Sequence, residues 1–247
     1  MWSGPFRKGL FVMQIFTAAF WEKGVKTSKN QDSLALCQMV IRRKRCLMAA
    51  VCDGIGSLPD SEIASGFVTE QLVNWFYRDG PRLFAGRCGF RKVENTVKRE
   101  LYRIRHQFEK YEGKQGCTLS MLLIIDRKYF LWHAGDSRIY RGRGKKVKQM
   151  TADDVYQGML TNCIGTFPWK GVITQRGYLK KKDTFLVCSD GFYKRITKEE
   201  MDAVLLGEDA CGERKAKRVL KEAAARARMR GEKDDLSALY VRCAKAK

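Results

Sequence analysis

Met48-Ala49-Ala50-Val51-Cys52-Asp53-Gly54-Ile55-Gly56 is an apolar run that stops at a carboxylate followed by glycines. Because Met48 to Cys52 show no polar alternation, they read as a strand covered on both faces. Such a strand delivers Asp53 to its tip, where Gly54 lets the backbone turn and leaves its own carbonyl uncovered for a ligand. The same construction recurs where Thr184-Phe185-Leu186-Val187-Cys188 runs into Ser189-Asp190-Gly191. Further carboxylates sit at turns in His133-Ala134-Gly135-Asp136-Ser137-Arg138 and in Lys233-Asp234-Asp235-Leu236-Ser237.

Any one of these motifs is an ordinary aspartate turn. Taken together they say more, because like charges gather out of water only around cations, and carboxylate oxygens suit hard ions such as Mg²⁺ or Mn²⁺. Neither His106 nor His133 has a histidine partner at ligand spacing, which leaves carboxylate and water as the available ligands.

The neighbouring sequence supplies the frame. Short β-rich runs are expected at Val12–Phe20, Ser33–Met39, Cys46–Cys52, Leu119–Ile125, Tyr129–Ala134, Ser137–Arg141, Val172–Arg176, Thr184–Cys188 and Leu236–Arg242. Helical spacing appears over Ser61–Phe76, Lys92–Tyr111, Lys198–Leu206 and Glu213–Met229. The link Asp126-Arg127-Lys128 is too short for a crossover helix, so its strands form an antiparallel hairpin. The pattern is α+β: a sandwich of two antiparallel β-sheets flanked by α-helices, with no repeat or linker to divide residues 1–247 into more than one domain.

Composition narrows the class. The chain has 247 residues, 45% hydrophobic and 30% charged, and no apolar run long enough for a bilayer-spanning helix. Arg7 and Lys8 precede an apolar stretch, Leu10 to Phe20, that has the look of a secretory leader. Gln14 and Thr17 interrupt it and no small-x-small cleavage site closes it, so a buried first strand is the expectation. Nine cysteines without a CxxC pair argue against a disulfide framework and a zinc site, and point to a reducing cytoplasm. The formal charge of +21 attracts polyanions, but no nucleic-acid-binding motif accompanies it. Much of that charge lies in the segment Arg214 to Arg230, as on a solvated helix face.

The order and spacing of the motifs resemble the metal-dependent serine/threonine protein phosphatases of type 2C, in a compact bacterial-like form. The matching blocks are Asn30-Gln31-Asp32-Ser33, Asp53-Gly54-Ile55-Gly56 with Glu62-Ile63-Ala64-Ser65, Gly116-Cys117-Thr118, Gly135-Asp136-Ser137-Arg138, Asn162-Cys163-Ile164-Gly165, Ser189-Asp190-Gly191 and Asp234-Asp235-Leu236-Ser237. The resemblance implies hydrolysis of phosphoserine and phosphothreonine in proteins by a hydroxide between two Mn²⁺ or Mg²⁺ ions. By the same carry-over Asp53 bridges the ions, the Gly54 carbonyl binds the second, Asp190 and Asp234 hold the first, and Asp32 stands in the shell of the second. No side-chain nucleophile is needed. The implied partners are phosphorylated proteins made by a serine/threonine kinase, acted on by a monomer with no membrane and no nucleic acid involved.

Several positions depart from the family. Where many members carry a phosphate-clamping arginine this chain has Thr27, so Lys26 or Lys29 would hold phosphate as point charges. Gln31 stands for a glutamate, and Ile55 for the histidine that protonates the leaving group in animal members. Asp136 resembles a ligand of a third ion, whose other ligand would fall at Lys194; this lysine either replaces the ion electrostatically or is merely solvated. Thr151 to Gly165 is too short for the usual flap. A catalytically silent phosphoprotein-binding relative, or a basic binder of nucleic acid or an acidic scaffold, are the rival readings.

Overall fold

The computed structural model describes residues 14–87, 89–108, 110, 114–165, 169–207 and 212–244. Arg7, Lys8 and the start of the expected first strand lie outside them, as does Tyr111 at the end of the expected second helix.

Two five-stranded antiparallel sheets carry the fold. The first runs β1 (Gln14–Glu22), β14 (Leu236–Ala244), β13 (Thr184–Cys188), β7 (Arg138–Arg143), β8 (Lys146–Gln149); the second runs β12 (Ile173–Tyr178), β6 (Lys128–Ala134), β5 (Leu119–Ile125), β3 (Lys44–Asp53), β2 (Asp32–Ile41). Short ladders β4 (Gly116–Cys117) with β11 (Ile164–Gly165), and β9 (Val155–Tyr156) with β10 (Met159–Leu160), complete the strands. Helices α1 (Ser61–Arg78), α2 (Gly80–Ala85) and α3 (Phe90–Phe108) cover the second sheet; α4 (Asp190–Tyr193), α5 (Lys198–Leu206) and α6 (Glu213–Met229) lie on the first.

The unbroken apolar run of β3 has two destinations. Cys46, Met48, Ala50 and Cys52 pack under α1 and α3, whereas Leu47, Ala49 and Val51 face the other sheet. This is the period-two alternation of a strand buried on both sides. On β14 the split repeats: Ala238 and Tyr240 face α6, and Leu239 and Val241 face the second sheet. Helix α1 buries Ala64, Val68, Leu72, Trp75 and Phe76 at helical spacing, and each large side chain among them contributes roughly 1.5–3 kcal/mol. Among the described residues no helix is long and apolar enough to cross a membrane, and the described cysteines are free and buried.

The expected sandwich is observed, with shifted boundaries. β13, α5 and α6 begin and end at the expected residues. β8 was not expected because Lys146-Val147-Lys148-Gln149 offers an edge strand almost no apolar signal, and α2 because it is short and begins at Gly80-Pro81. The segment judged too short for a flap holds the β9–β10 hairpin, with Tyr156 and Met159 exposed at its tip. The hairpin turns use left-handed backbone: Arg42-Arg43 at φ 46° and 64° between β2 and β3, Asp126 at φ 54° between β5 and β6, Gly144 at φ 62° between β7 and β8, and Gln157-Gly158 at φ 50° and 78° between β9 and β10.

Candidate metal centre

Sheet pairing first brings Asp32 and Asp53 together, because β2 and β3 pair with these residues directly opposite. Asp53 is held at its backbone: its amide donates to Thr118 Oγ1 at 3.0 Å and its carbonyl accepts the Thr118 amide at 2.8 Å. Thr118 Oγ1 is in turn 2.6 Å from Ser137 Oγ, both side chains being buried. Gly54 has no room for a side chain, since a Cβ there would fall 2.5 Å from the Ser61 carbonyl oxygen. With the flanking bonds Thr118 N to Asp53 O and Ile55 N to Gly116 O in place, the Gly54 carbonyl accepts no hydrogen bond among the described residues.

The second sheet's partner sheet brings the rest. Carboxylate oxygens of Asp53, Asp136 and Asp190 lie within 4.8 Å of one another. Asp136 comes from the β6–β7 turn, and Asp190 opens α4 at the end of β13. Asp32 sits behind this triangle, fully withdrawn from water, and accepts a hydrogen bond from Ser189 Oγ at 2.8 Å. Asp234 stands outside the triangle, paired with Lys26 at 2.9 Å. It still borders the site: a Cβ on Gly191 would lie 3.1 Å from the Asp234 Cβ.

These carboxyls resist ionisation. Burial first, then the charges of Asp32, Asp190, Asp136 and Asp234, push Asp53 well above the usual carboxylate range. Burial pushes Asp32 up to about 7 against the hydrogen bond from Ser189, with Asp235 and Asp190 adding to the rise. Asp136 is raised to about 6 by burial and the Asp190 charge, while Lys194 opposes. An all-oxygen set of crowded acids, an unused carbonyl beside them and a protein that resists their charge is the donor set of hard divalent cations. The residues fit such ions.

Ammonium groups now balance part of that charge. Lys194 donates to Asp190, one helical turn away. Burial works to lower its pKa, yet the Asp190 hydrogen bond and the charges of Asp190, Asp136 and Asp234 raise it overall. Lys26 is exposed at the rim; Lys29 is further round it, held by Glu62 at 2.5 Å at the start of α1. Gln31 donates to Ser61 Oγ at 2.5 Å.

Supporting residues escape a motif reading. Asp235 Oδ1 accepts the Gly24 amide and its Oδ2 accepts the Gln31 amide, each at 2.7 Å, which pins the loop carrying Lys26 and Lys29. Arg138 grips Asp153 through Nε at 2.9 Å and Nη2 at 2.7 Å, and stacks 3.8 Å above Tyr193, whose hydroxyl donates to the Asp136 carbonyl at 3.0 Å. Asp235 and Arg138 were visible in their blocks, but only their contacts show what they hold. His133 is buried between Ser120 Oγ at 3.0 Å and the Ala152 carbonyl at 2.9 Å, a structural histidine.

Comparison with known proteins agrees with this construction. Residues 24–238 match the family model for protein phosphatase 2C. Protein phosphatase PhpP of Streptococcus pneumoniae is 28% identical over 206 residues, covering 75% of this chain and 82% of the relative. The catalytic domain of serine threonine protein phosphatase PstP, solved with 2 manganese ions, superposes with TM-score 0.72 at 22% identity over 94% of this chain and 99% of that one. Stp1 from Staphylococcus aureus superposes with TM-score 0.75 at 19% identity, covering 96% and 98%. The chain belongs to the protein phosphatase 2C family. It is accordingly a metal-dependent serine/threonine protein phosphatase.

Proposed function

We propose that this chain dephosphorylates serine and threonine residues of proteins at a centre for two Mn²⁺ or Mg²⁺ ions, with Asp53 between them. Asp190 and Asp234 would hold the first ion, the Gly54 carbonyl would bind the second, and Asp32 would support the second from its outer shell. The convergence of Asp53, Asp136 and Asp190 oxygens within 4.8 Å carries this reading. Divalent ions supply Lewis acidity to such a site and lower the pKa of bound water.

The chain's own residues do the rest. Burial and mutual repulsion raise the pKa values of Asp53, Asp32 and Asp136, so cation binding there would be favoured by ionisation of these carboxyls and would release protons. Lys26, at the rim beside Asp234, is free to turn its ammonium to a phosphoryl oxygen once Asp234 is engaged elsewhere, with Lys29 as a second point charge. Lys194 keeps a fixed positive charge between Asp190 and Asp136, in place of a third ion. Ile55 offers no proton, so water or another group at the site would protonate the leaving oxygen. We further infer a monomeric single catalytic domain acting in the cytoplasm on substrates of a serine/threonine kinase, a compartment that suits free, buried cysteines.

The test is phosphate release from p-nitrophenyl phosphate and from a phosphothreonine peptide, with Mn²⁺, with Mg²⁺ and with EDTA, alongside bound-metal stoichiometry. Metal-dependent release with two ions per chain is expected. Activity that persists in EDTA removes the metal mechanism, and metal binding without turnover on either substrate favours the silent relative.

A further inference from the structure

A trough of about 690 Å³ lies between the C-terminal end of α1, α2 and the first half of α3, remote from the metal centre. Its walls carry Arg78, Arg82, Lys92, Arg99 and Arg103, all exposed, against only two acids, Asp79 and Glu100. Both acids are already engaged: Arg78 donates to Asp79 at 2.8 Å, and Arg103 holds Glu100 at 2.5 Å. Arg82, Lys92 and Arg99 make no ion pair among the described residues. An adjoining hollow of about 560 Å³ on the same helix adds Lys98 and the exposed Tyr102. The floor is apolar, formed by Trp75 and Leu83. Part of the +21 charge is therefore gathered into one concave site, where two acids offset only two of the five cations.

We propose that this trough docks an acidic segment of the phosphoprotein substrate, away from the phosphorylated residue. The shape favours a polypeptide: a recess of about 690 Å³ with an apolar floor and guanidinium groups on its walls has room for several side chains of an extended chain. Nucleic-acid duplexes present grooves that receive a protein element rather than strands that enter a recess. An anionic membrane surface meets charges that project, whereas these line a recess with an apolar floor. Guanidinium groups on both walls suit carboxylates, which they bind bidentately.

The fold fixes the spacing. Helix α1 begins at Ser61, whose carbonyl abuts Gly54 at the metal centre, and ends at Arg78 in the trough. At 1.5 Å per residue its length is about 26 Å. An extended substrate covers that distance with about eight residues. An acidic run closer than that to the phosphoresidue cannot reach the trough while the phosphate is in the centre.

This inference rests on the phosphatase reading, so the experiment separates the two. Phosphothreonine peptides are compared with no acidic run, with five glutamates two residues away, and with five glutamates ten residues away on either side. The distant run is expected to lower KM at least about fivefold with kcat unchanged, through raised effective concentration. Added salt, and the double variant Arg82→Glu with Arg99→Glu, should remove that gain while hydrolysis of p-nitrophenyl phosphate stays the same; Arg82→Gln with Arg99→Gln should remove part of it. Equal KM for all peptides, or a gain that survives the charge reversal, overturns the docking site. If no peptide is hydrolysed, fluorescence anisotropy with the unphosphorylated acidic peptide still decides: binding lost on charge reversal supports the trough, and absent binding refutes it. Tighter, reversal-sensitive binding of a DNA duplex or of phosphatidylserine vesicles than of the acidic peptide also overturns it.

Discussion

Asp183, just before β13, and Asp190, just after it, stand at the two ends of one five-residue strand, and their surroundings differ. Asp183 is fully buried and fully supplied: Arg143 donates from Nε at 2.6 Å and again from Nη2, and the Lys180 amide adds a bond at 2.8 Å. At the other end the acids face one another, with Asp53, Asp136 and Asp190 sharing one small volume and Asp32 behind them. One end uses a buried charge to hold the β12–β13 turn. The other gives four carboxyls one ammonium, from Lys194, and one hydroxyl, from Ser189, which leaves a crowding that is unfavourable for folding and useful for binding cations. A buried acid with its donors in place is architecture; half-buried acids crowded against one another, with one ammonium among them, are a site.

Several experiments can break or sharpen that contrast. Asp53→Asn should lower kcat on a phosphothreonine peptide by about 10³-fold or more, around 4 kcal/mol of transition-state stabilisation. In EDTA the same variant should melt higher than the parent, since it removes the cost of keeping a buried, crowded carboxyl protonated on folding. Retained activity within tenfold would take the reaction away from this centre.

At the other end, Asp183→Ala should destabilise the fold by about 3 kcal/mol, because it strands the guanidinium of Arg143. For a chain of this size that is a fall of about 6–12 °C in Tm. Measured well below that temperature, Mn²⁺-dependent activity should remain within about twofold of the parent. A selective loss of metal affinity would show that the two ends are not independent.

The next effect is in pH. Asp32 at about 7 and Asp53 well above the usual range hold protons in the native state that the unfolded chain gives up near pH 4. Metal-free protein should therefore lose stability as pH rises from 5 to 7, while Mn²⁺ at a hundredfold its Kd restores about 2.7 kcal/mol. Thermal melts with and without Mn²⁺ across that range check the sign; a metal-free Tm that climbs toward pH 7 would contradict it. Apparent Mn²⁺ affinity should weaken as pH falls through the same window.

The smallest change expected is at Lys194. Replacement by methionine removes the ammonium from Asp190 and should tighten Mn²⁺ binding by about fivefold, near 1 kcal/mol. Lys194→Asp should add a further bound ion by equilibrium dialysis. Unchanged affinity and stoichiometry in both variants would make Lys194 a solvated lysine.

The unbroken run Met48–Cys52, the tip Asp53-Gly54 and its repeat at Cys188–Gly191 announced buried strands that end in carboxylates, and the order of the short blocks announced the family. These are local matters: period-two burial and turn chemistry are written in neighbouring residues. What the order of letters did not contain was how nonadjacent strands assort, β14 beside both β1 and β13, and β3 between β2 and β5. Nor did it place Asp136 rather than Asp234 in the tightest group of oxygens, or reveal Asp235 as the clamp on the Lys26 loop. Distances between residues a hundred positions apart follow from sheet register and packing, which the whole chain settles at once. Charge followed the same division: composition gave +21, and only the packing of α1, α2 and α3 put part of it into a trough where five cations face two acids.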